Sequence, residues 1–104
     1  MPRAKRGEIW VADLGLAAKV RPVLVLSVDY SEVERAVVTY VVRTTSLRGT
    51  RYEVRHEGRG MPPGAFDAQG VGSLPDVKLQ RCLGVADSDT LKKVESTVRM
   101  WLGL

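Results

Sequence analysis

The sequence predicts a small, mainly antiparallel β-barrel or strongly bent sheet, closed by a carboxy-terminal helix. Two observations predict this class. Several short stretches rich in Val, Leu and Tyr are separated by turn-forming residues, and the last eighteen residues change to a helical period. A chain of 104 residues buries enough surface for one hydrophobic core, so we expect a single domain over residues 1–104.

Three strands are predicted in the first half of the chain. Residues 8–13 are β-prone and precede a turn-like segment at residues 14–19. Residues 20–29 are rich in Val and Leu, and Pro22 lies near their start, where a strand tolerates a missing amide donor. Residues 36–46 form the third predicted strand, because their β-branched side chains favour an extended chain.

The second half is predicted to hold three more strands. Residues 56–64 contain too many Gly and Pro residues for a regular element, so they are expected to form a loop. The strands are expected at residues 51–55, 65–71 and 77–85, with a turn at residues 72–76 between the last two.

One apolar stripe at helical spacing predicts the closing helix. Asp87 is a suitable N-cap and Gly103 a suitable end for this helix. The stripe is expected to pack into the core, and it consists of Leu91, Val94, Val98, Trp101 and Leu102.

The composition excludes several classes of protein. Cys82 is the only cysteine and His56 the only histidine, so neither a disulfide framework nor a structural zinc site can form. No apolar stretch approaches the roughly 18 residues of a membrane helix. Glu8 and Asp13 interrupt the apolar run that a secretion signal would need after its basic start. The chain is therefore expected to be unprocessed, cytoplasmic and free of cofactors.

The positive charge is concentrated in the first part of the chain. Lys and Arg outnumber Asp and Glu by 16 to 12, and the whole surplus lies within residues 1–59. Arginine is the more abundant cation, and its guanidinium matches phosphate in two hydrogen bonds. The charge therefore favours a polyanion as ligand, with nucleic acid first. A coding bias toward arginine would give the same composition.

The residues allow few kinds of catalysis. A Ser-His-Asp hydrolase would have to use His56, which lies in the breaker-rich loop without a nucleophile-elbow motif. No phosphate-binding glycine motif follows a predicted strand. Cleavage of RNA by its own 2′-hydroxyl remains accessible, because the protein then needs only to position the chain, neutralise charge and move protons.

Several motifs, in order, resemble those of the MazF/PemK (Kid) toxins of bacterial toxin–antitoxin pairs. Residues 6–10 (Arg-Gly-Glu-Ile-Trp), residues 21–27 (Arg-Pro-Val-Leu-Val-Leu-Ser) and Thr45-Ser46 carry the resemblance. Asp67-Ala68-Gln69 is similar to an Asp-Gln pair of that family, and the segment from Leu83 to the end is similar to its closing helix. The resemblance covers nearly the full chain.

This resemblance implies a fold, an activity and partners. The fold would be a CcdB/MazF-like (SH3-like) barrel that forms a homodimer. The activity would be metal-independent cleavage of single-stranded RNA at short sequences, leaving a 2′,3′-cyclic phosphate and silenced by a cognate antitoxin protein.

The resemblance also implies site residues. Arg21 and Thr45 match the two residues that carry catalysis in the family. Because arginine side chains stay protonated near neutral pH, we assign Arg21 to stabilising transition-state charge and Thr45 to orienting the scissile phosphate. The RNA contacts are expected to be Arg43, Ser46, Arg48, Arg51 and Gln69.

The sequence departs from the family at two places. The first loop, between Gly15 and Val20, is shorter than usual and lacks the Gly-rich stretch with Glu and Gln. The usual Asp before Gln is Ala68, and strand alternation would place Asp67 and Gln69 together on the other face.

Two further functions are open from the residues. One is a CcdB-like toxin that binds DNA gyrase through its carboxy-terminal end, which residues 101–104 superficially resemble. The other is an RNA-binding barrel without catalysis, which would show salt-sensitive binding and no turnover.

Overall fold

Six strands and one α-helix make up the computed structural model, which describes residues 3–15 and 19–104. Leu16, Ala17 and Ala18 of the predicted first loop lie outside the described residues. A short 3₁₀ turn at Asp76–Lys78 precedes the last strand. The elements are β1 (Glu8–Asp13), β2 (Val20–Val25), β3 (Val37–Thr44), β4 (Glu53–His56), β5 (Gly64–Pro75), β6 (Leu79–Val85) and α1 (Ser88–Leu102).

All strand pairs are antiparallel, in the order β4-β5-β3-β2-β1-β6. The predicted mainly β class with a closing helix is therefore confirmed. In the part of the chain that the structure describes, the sheet is not closed by pairing, because β4 and β6 form its two edges. The described helix is too short and too polar to cross a membrane.

Both faces of the sheet carry a hydrophobic core. Neighbouring residues of a central strand point to opposite sides and so contribute to different cores. In β2, Val23 and Val25 face one side and Leu24 faces the other. The first side carries a core that also contains Ala4, Trp10, Ala12, Val38, Leu74 and Leu79. The second side, which α1 covers, carries a core that also contains Ile9, Val41, Phe66, Ala86 and Val94.

The ends of α1 agree with the sequence, whereas its last turn does not. Asp87 accepts a hydrogen bond from the backbone N–H of Thr90 at 2.7 Å, and Gly103 caps the other end with a φ of 72°. Trp101 was expected in the core, but it is 42% exposed and touches Tyr52 edge-on, with 5.2 Å between ring centroids. The core stripe therefore ends near Val98.

β5 is one long strand where the sequence predicts a strand and a turn. Residues 72–75 continue the pairing with β3 instead of turning away. The register shifts within this pair: Val41 lies opposite Val71, whereas the next residue, Val42, lies opposite Asp67. Residues 68–70 therefore form a bulge, which interrupts the alternation of side chains along β5.

Candidate nucleic-acid site

A cleft of about 340 Å³ opens where β2 begins and β3 ends. In the β2–β3 pair, Val23 lies opposite Val42. The same register, extended by two residues toward the start of β2, places Arg21 opposite Thr44. Side chains that lie opposite each other in antiparallel strands share one face. The cleft is lined by Arg21, Val42, Thr44, Ser46, Arg48, Glu53, Asp67 and Gly70.

Thr44 takes the place in the cleft that the sequence assigned to Thr45. The Thr44 hydroxyl is half-buried and accepts the backbone N–H of Ser46 at 3.0 Å. Thr45 is exposed and is not among the lining residues of the cleft. The structure thus brings Arg21 together with Thr44, and the catalytic role expected for Thr45 stays a prediction. The physical reason is strand alternation, which places consecutive side chains on opposite faces.

Arg43 lies in the interior and not at the RNA-facing surface where the sequence placed it. Its side chain is only 3% exposed. Its Nε donates to Nδ1 of His56 at 3.0 Å, and its Nη2 donates to the carbonyl oxygens of His56 and Pro62 at 2.9 and 2.7 Å. A guanidinium used in this way ties β3 to β4 and to the following loop. Arg43 is therefore not at the surface, where an RNA contact was expected.

Burial shapes the titration of the Arg43–His56 pair. It lowers the pKa of the His56 imidazole, and the nearby Arg43 guanidinium lowers it further. Burial also lowers the pKa of Arg43. Because Nδ1 of His56 accepts a hydrogen bond from Arg43, the imidazole is held in its neutral form.

The β5 bulge determines which of its polar residues reach the cleft. Asp67 and Gly70 line it, whereas Gln69 lies between them, exposed and outside the lining. The Gln69 backbone N–H donates to Oδ1 of Asp67 at 3.0 Å. Asp67 and Gln69 therefore do not share the cleft, although regular alternation would have predicted it.

Of the remaining expected RNA contacts, two line the cleft and one does not. Ser46 and Arg48 are exposed residues of the cleft wall, beyond the end of β3. The Arg51 guanidinium lies over the ring of Tyr52, 4.9 Å from its centroid, and donates to the Tyr52 hydroxyl at 2.7 Å. Arg51 thus points to the neighbouring tyrosine and is not among the lining residues.

Glu53 holds the loop that carries Arg48. Its carboxylate accepts hydrogen bonds from the backbone N–H groups of Arg48, Gly49 and Thr50. The shortest N–O distances are 2.9, 2.7 and 3.3 Å, respectively. These hydrogen bonds, with the one from Arg48 first, hold the pKa of Glu53 below its usual range. The carboxylate is therefore ionised at neutral pH.

Three polar residues of the cleft were not among the expected site residues: Thr44, Glu53 and Asp67. Thr44 could have been found by counting alternation along β3 from its buried valines. Glu53 and Asp67 lie opposite each other in the β4–β5 pair, and no local pattern gives that register.

The cleft has the groups that a phosphodiester requires. Arg21 and Arg48 supply two cations, the hydroxyls of Thr44 and Ser46 supply short-range donors, and Asp67 supplies a carboxylate. Within residues 3–15 and 19–104, no group of three or more His, Cys, Asp or Glu side chains is arranged to hold a metal ion.

Solved structures with the same fold include two endoribonucleases and a MazF protein. An endoribonuclease from a mycobacterial species is 25% identical, with a TM-score of 0.82 over 100% of this chain and 95% of that chain. An endoribonuclease in complex with its cognate antitoxin, also mycobacterial, is 26% identical, with a TM-score of 0.83 over 97% and 96%. MazF from Deinococcus radiodurans is 23% identical, with a TM-score of 0.81 over 100% and 99%, and this likeness shows the fold alone.

Sequence comparison defines the family. No curated protein sequence matches the chain. Residues 5–102, nearly the whole chain, match the family described as PemK-like, MazF-like toxins of type II toxin–antitoxin systems. The chain belongs to this family of toxins.

Proposed function

We propose that this protein is an endoribonuclease toxin that cleaves single-stranded RNA, with Arg21 and Thr44 at the scissile phosphate. The observation that carries the proposal is the cleft in which the β2–β3 register brings these two residues together beside Arg48. The similar mycobacterial structures, at 25% and 26% identity over nearly the full chain, are endoribonucleases.

The reaction is attack of the RNA 2′-oxygen on the adjacent phosphorus. The new O–P bond forms as the bond to the 5′-oxygen breaks, and the products end in a 2′,3′-cyclic phosphate and a 5′-hydroxyl. Asp67 accepts the proton of the 2′-hydroxyl, and the departing 5′-oxygen takes a proton from solvent. Because the RNA supplies its own nucleophile, the chemistry needs no cofactor.

The arginines and the threonine stabilise the charge that develops on the phosphorane. Arg21 and Arg48 neutralise its nonbridging oxygens, in a cleft shaped before the substrate arrives. The Thr44 hydroxyl approaches the Ser46 carbonyl at 3.5 Å, a distance too long for a strong bond. Its proton is therefore available for a phosphate oxygen.

The proposal includes partners and a location. The toxin acts in the cytoplasm as a homodimer and is neutralised by a cognate antitoxin protein. The mycobacterial relative in complex with its own cognate antitoxin supports this pairing.

The test is cleavage of end-labelled single-stranded RNA in the presence of a chelator. Wild type should yield fragments with a 2′,3′-cyclic phosphate. Arg21→Ala should lose about 10²- to 10³-fold in rate, the size expected for removing one preorganised charge-stabilising donor. Arg35→Ala is the matched control. Arg35 is exposed and lies two residues before β3 begins, whereas the cleft lies where β3 ends.

Two outcomes would contradict the proposal. If Arg21→Ala cuts as fast as Arg35→Ala, Arg21 has no part in the reaction. If wild type binds RNA in a salt-sensitive manner but leaves it intact, the protein is an RNA-binding module without catalysis.

A further inference from the structure

A carboxylate in the wall of a phosphate-binding cleft requires an explanation. Glu53 is the first residue of β4 and lies opposite Asp67 of β5, so it faces the same cleft as Arg21 and Arg48. An ionised carboxylate at this place would repel the phosphates of RNA unless its charge were used within the protein.

The charge of Glu53 is used by the loop that precedes β4. Three consecutive backbone N–H groups, those of Arg48, Gly49 and Thr50, converge on its two oxygens. Gly49 has a φ of 73°, a left-handed conformation that glycine adopts without strain and that turns neighbouring N–H groups toward one acceptor. Hydrogen bonds to an ionised acceptor are stronger than neutral ones. The carboxylate therefore closes a short loop into one defined shape.

The shape of this loop determines where Arg48 lies. Arg48 is exposed and lies in a loop with no strand partner in the described sheet, so its backbone is fixed chiefly by the bond from its own N–H to Glu53. Its side chain nevertheless lines the cleft beside Arg21 and Ser46. Because effective charge stabilisation requires donors that are already in place, the anchoring of this loop affects the reaction.

We propose that Glu53 is a positioning residue for RNA cleavage, which acts by clamping the loop at residues 48–50 so that the Arg48 guanidinium faces the scissile phosphate. The inference rests on the proposed function of the cleft. In this role Glu53 acts through the loop and takes no part in the proton transfers.

A double-mutant cycle on RNA cleavage tests this. Arg48→Ala should lower kcat/KM by about 10²-fold, the lower end of the loss expected for removing one charge-stabilising donor. Glu53→Gln should lower it by about tenfold, because the amide keeps one acceptor oxygen and displaces the loop only in part. If Glu53 acts through Arg48, the double variant should be no slower than Arg48→Ala alone. Glu57→Gln, which makes the same charge change at an exposed position just after β4, is the control and should cut like wild type.

A second measurement follows the clamp without RNA. The amide proton shifts of Arg48, Gly49 and Thr50 should titrate together with a pKa below the ordinary glutamate value, and this titration should vanish in Glu53→Gln. Glu53→Ala, which keeps no acceptor, should lose more activity than Glu53→Gln. The thermal midpoint of each variant separates loss of positioning from loss of fold.

The failures are distinguishable. If wild type cuts RNA and Arg21→Ala does not, but Glu53→Gln behaves like Glu57→Gln, the proposed function stands and the clamp is refuted. Effects of Glu53→Gln and Arg48→Ala that multiply in the double variant, to about 10³-fold, would also refute it, because independent sites add in free energy. A wild type that leaves RNA intact overturns the proposed function and this inference together.

Discussion

Two separate variants, Thr44→Ala and Thr45→Ala, show which of these neighbouring hydroxyls takes part in cleavage. The sequence alone does not decide between them. Thr44 lies opposite Arg21 in the extended β2–β3 register, whereas Thr45 is exposed outside the cleft. If the Thr44 hydroxyl donates to a nonbridging phosphate oxygen, its loss should slow cleavage by about 10²- to 10³-fold. Thr45→Ala should stay within about twofold of wild type, as expected for a surface substitution that changes stability by less than about 0.5 kcal/mol.

The same change has a calculable effect on stability. Thr44→Ala removes one hydrogen bond, from the Ser46 N–H to the Thr44 hydroxyl at 3.0 Å. Such a bond contributes about 1 kcal/mol net. In a domain of this size, that loss lowers the melting temperature by about 4 to 8 °C. The variant should therefore remain folded at the assay temperature, so a large loss of rate can be assigned to the missing hydroxyl.

The assay is initial-rate cleavage of a labelled single-stranded RNA, with the melting temperature of every variant measured in parallel. Thr44→Ser keeps the hydroxyl and loses only a methyl group, so it should recover most of the rate. The reasoning is refuted if Thr45→Ala is the slower of the two alanine variants, or if Thr44→Ser is as slow as Thr44→Ala.

Two further predictions concern the buried Arg43–His56 pair. Arg43→Ala should lower the free energy of unfolding by about 1 to 3 kcal/mol, because it leaves the part-buried carbonyl oxygens of His56 and Pro62 without their donor. Urea unfolding measures this, and a loss below 1 kcal/mol would contradict the interior role of Arg43. The second prediction follows from the lowered pKa of His56. The unfolded chain takes up a proton on this residue at a higher pH than the folded chain does, so stability is complete above about pH 6.5 and falls as the pH drops below it. The urea midpoint of wild type should therefore decrease between pH 7.5 and 5.5, and His56→Gln should show a smaller decrease; equal decreases would rule out this titration.

Local patterns predicted much of the fold. The first strand has the predicted bounds, and α1 begins after Asp87 and ends before Gly103, as the capping residues indicated. These features depend on a few neighbouring residues, whose conformational preferences and hydrogen bonds act along the chain. The resemblance of short motifs predicted the family, which the match over residues 5–102 confirms.

The candidate site was predicted less completely. One cleft is lined by three of the expected site residues, Arg21, Ser46 and Arg48. Their roles in cleavage stay predictions. Arg43 looked from the sequence like its exposed neighbours, yet it is buried against His56. No run of charges distinguishes an arginine that binds RNA from one that ties two strands together.

The sequence by itself determined the strands, the helix, the positive charge and the residue types available for chemistry. The tertiary structure decided which of them meet. The β2–β3 register selects Thr44 over Thr45, and the β5 bulge admits Asp67 and leaves Gln69 outside. Register is a property of pairing between distant segments, and a slip of one residue exchanges the two faces of a strand. For that reason the threonine of the site could be named from the chain only to within one residue.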